Sequence, residues 1–106
     1  MLIRSQDKKS LCKYNSGIVT AFEKYDYDVI NNKMVPTKIK GYNIFFCDNS
    51  REIQIGAYST EEKAIKVLDM IQNAYYNFEY SKFLGCENDT FAGCVFEIPQ
   101  DEEVKA

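Results

Sequence analysis

The sequence contains no histidine. Histidine is the side chain that most often transfers protons near neutral pH, so its absence excludes Ser-His-Asp and Cys-His nucleophilic arrangements and removes the commonest metal ligand. A hydrolase built from this chain would need an unusual lysine or carboxylate mechanism. A glycine-rich phosphate loop and a dinucleotide-binding fingerprint are also missing. We therefore predict that the protein is not an enzyme.

A basic excess is missing as well, since 13 Lys and Arg stand against 16 Asp and Glu and give a net charge of −3. Proteins that coat DNA or RNA gain affinity by neutralising phosphates, so general nucleic-acid binding is not expected. No apolar run reaches the length of a membrane span, and the opening MLIRSQDKK lacks the long apolar segment of a secretion signal. The sequence thus predicts no membrane association and a cytoplasmic location, where cysteines stay reduced.

Closely spaced cysteine pairs, the usual source of zinc ligands, do not occur. Structural zinc sites typically draw two thiolates from residues about two to four positions apart. The four cysteines are far more widely separated, at Cys12, Cys47, Cys86 and Cys94. Cys47 and Cys94 lie in apolar stretches, where cysteine behaves as a small hydrophobic residue. Core cysteines are therefore the preferred interpretation, and we predict no metal site and no cofactor.

The segment YDYD offers the other candidate metal site. If extended, it places Asp26 and Asp28 on one side and Tyr25 and Tyr27 on the other. Paired carboxylates can bind a divalent ion, but no further acidic or amide ligands stand nearby in the sequence. A solvated edge with the tyrosines packed inward is the preferred interpretation.

Regular apolar spacing predicts an α+β domain. The stretches GIVTAFEKY and REIQIGAY alternate as strands do, YNIFFC is apolar at almost every position, and AGCVFEIP reads as a final strand stopped by Pro99. Between them, Ser59 and Glu62 match a capping box, followed by a helical stripe. The stripe consists of Ala64, Val67, Leu68, Ile71, Ala74, Tyr75 and Phe78.

The predicted architecture is an antiparallel sheet of five to six strands, open or barrel-like, packed by one long amphipathic helix, with a final strand after the helix. Residues 1–98 form the single domain, and the acidic residues 99–106 are expected to be a flexible tail. One helix covers only one face of such a sheet. Apolar side chains at Val19, Phe45, Cys47 and Val95 exceed what that layer needs. The other face is expected to curl into a partial barrel, pair with a second copy or hold a ligand, so a homo-oligomer is predicted.

A stripe of cations and one aromatic ring in TKIKGY suggests a ligand site. At period two, Lys38 and Lys40 share a strand face with Tyr42, and Arg4 and Arg51 near strand ends could converge on it. Cations would bind a phosphate and the tyrosine ring would stack on a base. These five residues are the candidate binding residues. The alternative is a solvated edge strand guarded by lysines, and it carries more weight because no spacing fixes a site.

Three stretches carry a resemblance to a known group. LIRSQDK at residues 2–8, GAYSTEEKAIKVLDMIQNAY at residues 56–75 and VFEIPQDEEV at residues 95–104 resemble small uncharacterised proteins encoded by phages and prophages of Firmicutes. The resemblance covers both ends and the helix and leaves roughly residues 10–50 unmatched. It implies an accessory protein of the kind that counters host defences, by blocking a defence protein or by sequestering its nucleotide signal.

The expected function is therefore that of a non-catalytic phage or prophage binding protein in the host cytoplasm, with its site on the sheet face or edge away from the helix. Its partner is expected to be a host defence protein or a small phosphate-containing signal molecule. The alternative is a self-assembling structural phage protein that binds no small ligand and uses its apolar face only for contacts between subunits.

Overall fold

The computed structural model describes residues 1–83 and 95–106. This part of the chain forms two three-stranded sheets and one long helix. The strands are β1 Leu2–Arg4, β2 Leu11–Lys13, β3 Ile18–Ile30, β4 Lys33–Cys47, β5 Glu52–Tyr58 and β6 Val95–Glu97; the helix is α1 Glu61–Phe83; and short 3₁₀ helices lie at Tyr14–Ser16 and Asp101–Glu103. The predicted α+β class with antiparallel pairing and one helix is confirmed.

Of the two predicted forms, open or barrel-like, the barrel is wrong, and the single predicted sheet is divided into two open sheets. The larger sheet has the order β3-β4-β5 and is antiparallel; the smaller has the order β2-β1-β6, with β6 parallel to β1. The sheets meet at Gln6, whose backbone N–H donates to the Ile55 carbonyl at 2.7 Å. The Gln6 side-chain oxygen also accepts from the Ala57 N–H at 3.0 Å. The backbone and the side-chain amide of Gln6 thus take up hydrogen-bonding groups on this edge of β5, where a barrel would need another strand.

The hairpin of β3 and β4 is the longest feature of the fold, with strands of 13 and 15 residues. Its turn is formed by an asparagine pair: Asn31 and Asn32 have φ values of 52° and 63°, the left-handed conformation that a two-residue type I′ turn requires at both central positions. β5 pairs only with the Tyr42–Cys47 part of β4. The remaining, distal part of the hairpin therefore projects as a two-stranded ribbon, about 20 Å beyond the third strand.

The helix confirms the predicted apolar stripe but not the predicted cap. Ala64, Val67 and Ile71 are all buried against the larger sheet. The capping oxygen belongs to Thr60, which accepts from the Lys63 N–H at 3.2 Å. Ser59 instead donates its backbone N–H to the Asp101 carboxylate at 2.8 Å. The helix starts one residue later than the Ser59–Glu62 pattern implies, because Ser59 is hydrogen-bonded to the carboxylate of Asp101.

The core takes residues from both sheets, from the helix and from the last part of the sequence. Its members share near-complete burial: Ile3, Cys12, Ile44, Phe46, Ile55, Tyr58, Ala64, Val67, Ile71, Ile98 and Val104. Val95–Glu97 is the described part of the predicted final strand, whose residues 92–94 lie outside the described residues. The core sits under the part of β3 and β4 nearest β5, and none of residues 25–40 belongs to it.

Residues 99–106, predicted as a flexible acidic tail, carry a 3₁₀ helix and place Val104 in the core at 4% exposure. The Tyr58 hydroxyl donates to the Pro99 carbonyl at 2.6 Å, and the Gln100 amide donates to the Gln6 carbonyl at 2.8 Å. One valine in a charged string carries little periodic signal, so the sequence pattern does not reveal this docking.

Gly17 provides a test of packing at the start of β3. Its φ of −158° is extended backbone that any residue adopts, so the constraint is space. A Cβ there would lie 2.5 Å from the Cys47 carbonyl oxygen and 2.7 Å from the Phe46 ring. We expect Gly17→Ala to lower the free energy of unfolding by about 1–3 kcal/mol, as overpacking does. Urea denaturation measures it; the exposed neighbour variant Asn15→Ala is the control, and equal stabilities of the two variants would contradict the prediction.

Asp101 provides a pH test. The Ser59 backbone N–H, followed by the Ser59 hydroxyl and Lys63, lowers the pKa of the Asp101 carboxyl in the folded state. A folded-state pKa below the unfolded one stabilises the fold above the unfolded pKa of about 4, and this contribution is lost as pH falls below it. Because solvent screens this partly exposed carboxylate, Asp101→Asn is expected to cost only about 0.5–1 kcal/mol at pH 7 and progressively less below pH 4. Thermal melts across that range, with Glu102→Gln as the solvent-facing control, would refute this if the difference did not change with pH.

Candidate binding face of the β3–β4 hairpin

The register of the distal hairpin separates its side chains into two chemically different faces. In an antiparallel pair, directly opposed residues point to the same side of the sheet. Tyr25 opposes Ile39, Tyr27 opposes Pro36, and Val29 opposes Met34. Because Tyr25, Tyr27 and Val29 are two positions apart along β3, all six side chains share one side. We call this set the distal apolar face: Tyr25, Tyr27, Val29, Met34, Pro36 and Ile39.

The distal apolar face is exposed to solvent. Val29 is 73% exposed, Met34 70%, Tyr27 52% and Ile39 45%. A two-stranded ribbon has no further layer to bury such groups, and a hairpin of this kind is marginally stable alone. Contiguous exposed apolar surface on a soluble domain is typical of interaction sites. The next opposed pair on the same side, Glu23 and Tyr42, lies beside the start of α1. The distal apolar face therefore continues the side of the sheet that α1 covers nearer the core.

The opposite face of the same ribbon is mainly charged, although it also carries Ile30 and Val35. Asp26 opposes Lys38 there, and its carboxylate lies 4.0 Å from the Lys38 ammonium and 3.8 Å from that of Lys40. Thr37 donates its hydroxyl to the Asp26 carbonyl at 3.1 Å. Exposed ion pairs of this type contribute little stability but keep the face hydrated. The ribbon is therefore amphipathic.

Two β-bulges break the predicted lysine–tyrosine stripe. Lys24 pairs with Gly41 and Tyr25 pairs with Ile39, so Lys40 is an extra, unpaired residue of β4. Thr37 is extra in the same way, between the paired residues Lys38 and Pro36. Each bulge reverses the alternation of β4 relative to a regular strand. Lys38 consequently lies on the face of Asp26, and Tyr42 lies on the side of the helix. The premise that these residues share a strand face is wrong.

The five predicted binding residues are placed in three separate parts of the molecule. Lys38 and Lys40 meet at Asp26 on the distal ribbon, while Tyr42 borders the helix. Arg4 lies in the smaller sheet, 3.9 Å from the Glu97 carboxylate. Arg51 follows the β4–β5 turn and lies 3.7 Å from the Asp48 carboxylate. Only the two lysines are brought together, and each of the four cations has a carboxylate neighbour.

A shallow pocket of about 260 Å³ lies where the distal apolar face meets the helix. Its lining combines apolar groups with two carboxylates: Ala21, Glu23, Tyr42, Glu61, Ala64 and Ile65. Burial, and then the nearby Glu61 carboxylate, raises the pKa of Tyr42. Glu23 also accepts a hydrogen bond from the Tyr25 hydroxyl. With two carboxylates and no cation in its lining, this pocket repels phosphate groups.

The thiols and acidic groups do not assemble a metal site within residues 1–83 and 95–106. Cys12 is buried, and burial raises the pKa of its thiol, while Cys47 is half-buried. Cys86 and Cys94 lie outside the described residues. In the same part of the chain, no helix has the length and apolarity needed to cross a membrane.

Only part of the surplus apolar surface lies where the sequence suggested. Val19 faces the helix side and packs against the core, and Val95 belongs to the smaller sheet. On the side away from the helix, Phe45 contacts the half-exposed Phe22 edge-on, at 5.7 Å between ring centres. The exposed apolar residues without a counterpart among the predicted binding residues are those of the distal ribbon, chiefly Tyr27, Val29 and Met34. Their signal is the alternation of YDYDV before the asparagine turn, which indicates a two-faced ribbon once the tyrosines are not assumed to pack inward.

Comparisons with known proteins give no further assignment: no protein-family model, no curated protein and no solved structure matches the chain.

Proposed function

We propose that this protein is a non-catalytic binding protein that docks the distal apolar face of its β3–β4 hairpin onto another protein. The observation that carries the proposal is the exposure of this face, with Val29 and Met34 at 73% and 70%. Burying apolar surface against a partner contributes about 25 cal/mol per Å². The charged opposite face keeps the free ribbon soluble, so the asymmetry suits a surface that one partner covers.

The narrower part of the proposal is that the partner is a host defence protein and that the chain acts in the host cytoplasm as a phage counter-defence factor. The resemblance of three segments to phage-encoded proteins supports this part. Blocking an enzyme or sensor requires only steric cover. A ribbon that projects about 20 Å from a packed core suits that task, because it can reach into a groove that a flat surface cannot enter.

Sequestration of a phosphate-containing signal is the less favoured version. Anion binding needs cations that converge without competing carboxylates. Lys38 and Lys40 share Asp26, while Arg4 and Arg51 each have a carboxylate of their own. The pocket beside Tyr42 is lined by two glutamates. These features favour an apolar protein partner over a nucleotide ligand.

The test is recovery of a partner from host cells under matched substitutions. Val29→Glu with Met34→Glu places two carboxylates on the distal apolar face, and Ile30→Glu with Val35→Glu places two on the opposite face. We expect the wild type and the second variant to co-purify stoichiometrically with one host defence protein, to bind it again from purified components and to block its protection against phage. The first variant is expected to lose all three properties. Equal behaviour of the two variants would refute the proposal.

A second measurement separates the alternatives. Thermal melts with cyclic oligonucleotides and ADP-ribose-type signals are expected to show no stabilisation. A rise of several degrees, with intact ligand released on heating, would favour sequestration instead. A large closed assembly by light scattering, without either kind of partner, would favour the self-assembling structural protein.

A further inference from the structure

The outer edge of β3 is the one long strand edge that the described residues leave without a strand partner, a proline or a bulge. β3 pairs with β4 along one side over Ile18–Ile30, and its other side has no strand partner within residues 1–83 and 95–106. An unpaired edge presents N–H and C=O groups that can pair with another chain. β3 contains no proline, and both bulges of the hairpin lie in β4.

The other edges are blocked by ordinary protective devices. The distal edge of β4 carries Pro36, which lacks an N–H, and the two bulged residues Thr37 and Lys40. The edge of β5 is occupied by Gln6. β2 and the described part of β6, the edges of the smaller sheet, are each three residues long. This contrast leaves the β3 edge available for pairing with a further strand.

The charges of β3 select a second copy of the same strand. In a two-fold antiparallel pair centred on Tyr25, Lys24 of each copy faces Asp26 of the other, so two opposite-charge pairs form. If the two-fold axis instead passes through a charged residue, that residue faces the same residue of the second copy and the two like charges repel. This excludes centres at Glu23, Lys24, Asp26 and Asp28. Centring on Tyr27 places Asp26 against Asp28. Within positions 23–28 only the Tyr25 register has two attractive pairs and no facing like charges.

We infer that the protein forms a homodimer by antiparallel pairing of its β3 edges, centred on Tyr25. The register pairs residues 20–30 of each copy, which gives about ten main-chain hydrogen bonds, the number found in stable interfaces. A six-stranded sheet then runs through both copies. Because the two-fold axis is normal to this sheet, both distal apolar faces lie on the same side of it. The dimer thus goes beyond the proposed function and does not depend on it.

A cysteine at the two-fold centre tests the register. Tyr25→Cys places the two new thiols directly opposite each other, within disulfide reach. Tyr27→Cys is the matched control, because position 27 faces position 23 of the second copy. Under mild oxidation, mass spectrometry is expected to find a disulfide-linked peptide that joins position 25 of the two copies in the first variant. No peptide linked through position 27 of both copies is expected in the second. Equal yields from the two variants, or no link at position 25, would overturn the inference.

Charge exchange tests the interface independently. Lys24→Asp and Asp26→Lys each replace attraction by repulsion and are expected to weaken dimerisation about tenfold, measured by sedimentation equilibrium. A mixture of the two variants restores opposite-charge pairing and is expected to form the heterodimer. Undiminished dimers of either variant alone, or no heterodimer from folded variants, would contradict the inference. If circular dichroism shows that a variant is unfolded, the cysteine result decides. Host-protein recovery is a separate readout, so its failure and failure of dimerisation are distinguishable.

Discussion

Removal of residues 99–106 is expected to lower the free energy of unfolding by about 4 kcal/mol or more, although these residues are mostly charged or polar. Burial of Val104 contributes about 1.5–3 kcal/mol. Loss of the Pro99 carbonyl leaves the hydroxyl of the buried Tyr58 without its acceptor, which costs about 1–3 kcal/mol more. Asp101 and Gln100 add their hydrogen bonds to Ser59 and Gln6. Since small domains are stable by about 5–15 kcal/mol, the shortened chain is expected to be partly unfolded at about 37 °C.

Urea denaturation followed by circular dichroism measures this effect, and two variants identify its source. Val104→Ala is expected to reproduce about half of the loss, because it removes most of the buried side chain. Glu102→Ala, at an exposed position of the same 3₁₀ helix, is expected to change stability by less than about 0.5 kcal/mol. A shortened chain with wild-type stability would show that residues 99–106 are the flexible tail that their composition predicts.

The elements of this fold could be predicted wherever the signal is local. The spacing of Ala64, Val67 and Ile71 predicts the buried helix face, and the Asn31–Asn32 pair predicts the hairpin turn. Both depend on residues a few positions apart, whose periodicity and φ preferences are intrinsic to the chain. The same is true of the alternation in β5.

The assembly of these elements could not be predicted, because it depends on contacts distant in sequence. Gln6 bonds β5 across about fifty residues, and β6 reaches β1 across about ninety. No periodic pattern of apolar residues in the sequence indicates either contact. The helix cap shows the same limit on a small scale: the Ser59 pattern is a valid capping box, and Asp101, far along the chain, displaces it.

The predicted lysine–tyrosine stripe is wrong because the strand register changes along β4. Period-two reading of TKIKGY assumes a regular strand, and the extra residues Thr37 and Lys40 reverse the alternation of faces along β4. A one-residue shift transfers a side chain to the other face, so a stripe inferred across a bulge is not a surface. The distal apolar face escapes this error on β3, which contains no bulge, and its tyrosines and Val29 therefore follow simple alternation.

Deletion of the distal hairpin is expected to abolish partner binding and leave the fold nearly intact. Lys24 and Gly41 oppose each other, so replacing residues 25–40 by Asn-Gly closes a two-residue turn at that pair. None of the deleted residues belongs to the core. The melting temperature is therefore expected to change by only a few degrees. Binding of the host partner, measured by calorimetry, is expected to weaken about 100-fold or more, because the deletion removes every residue of the distal apolar face.

The deletion separates a binding ribbon from a structural one more sharply than point substitutions do. If the ribbon stabilised the sheet, the shortened chain would melt much earlier and its urea midpoint would fall, with binding lost only through unfolding. If it serves recognition, stability and binding change independently, and the Ile30→Glu, Val35→Glu variant retains both because it alters only the charged face. The β3 edge is shortened by the same deletion, so the inferred dimer is expected to dissociate as well. A shortened chain that still binds its partner with wild-type affinity would place the site elsewhere, with the half-exposed Phe22 and its neighbour Phe45 as the next apolar surface to test.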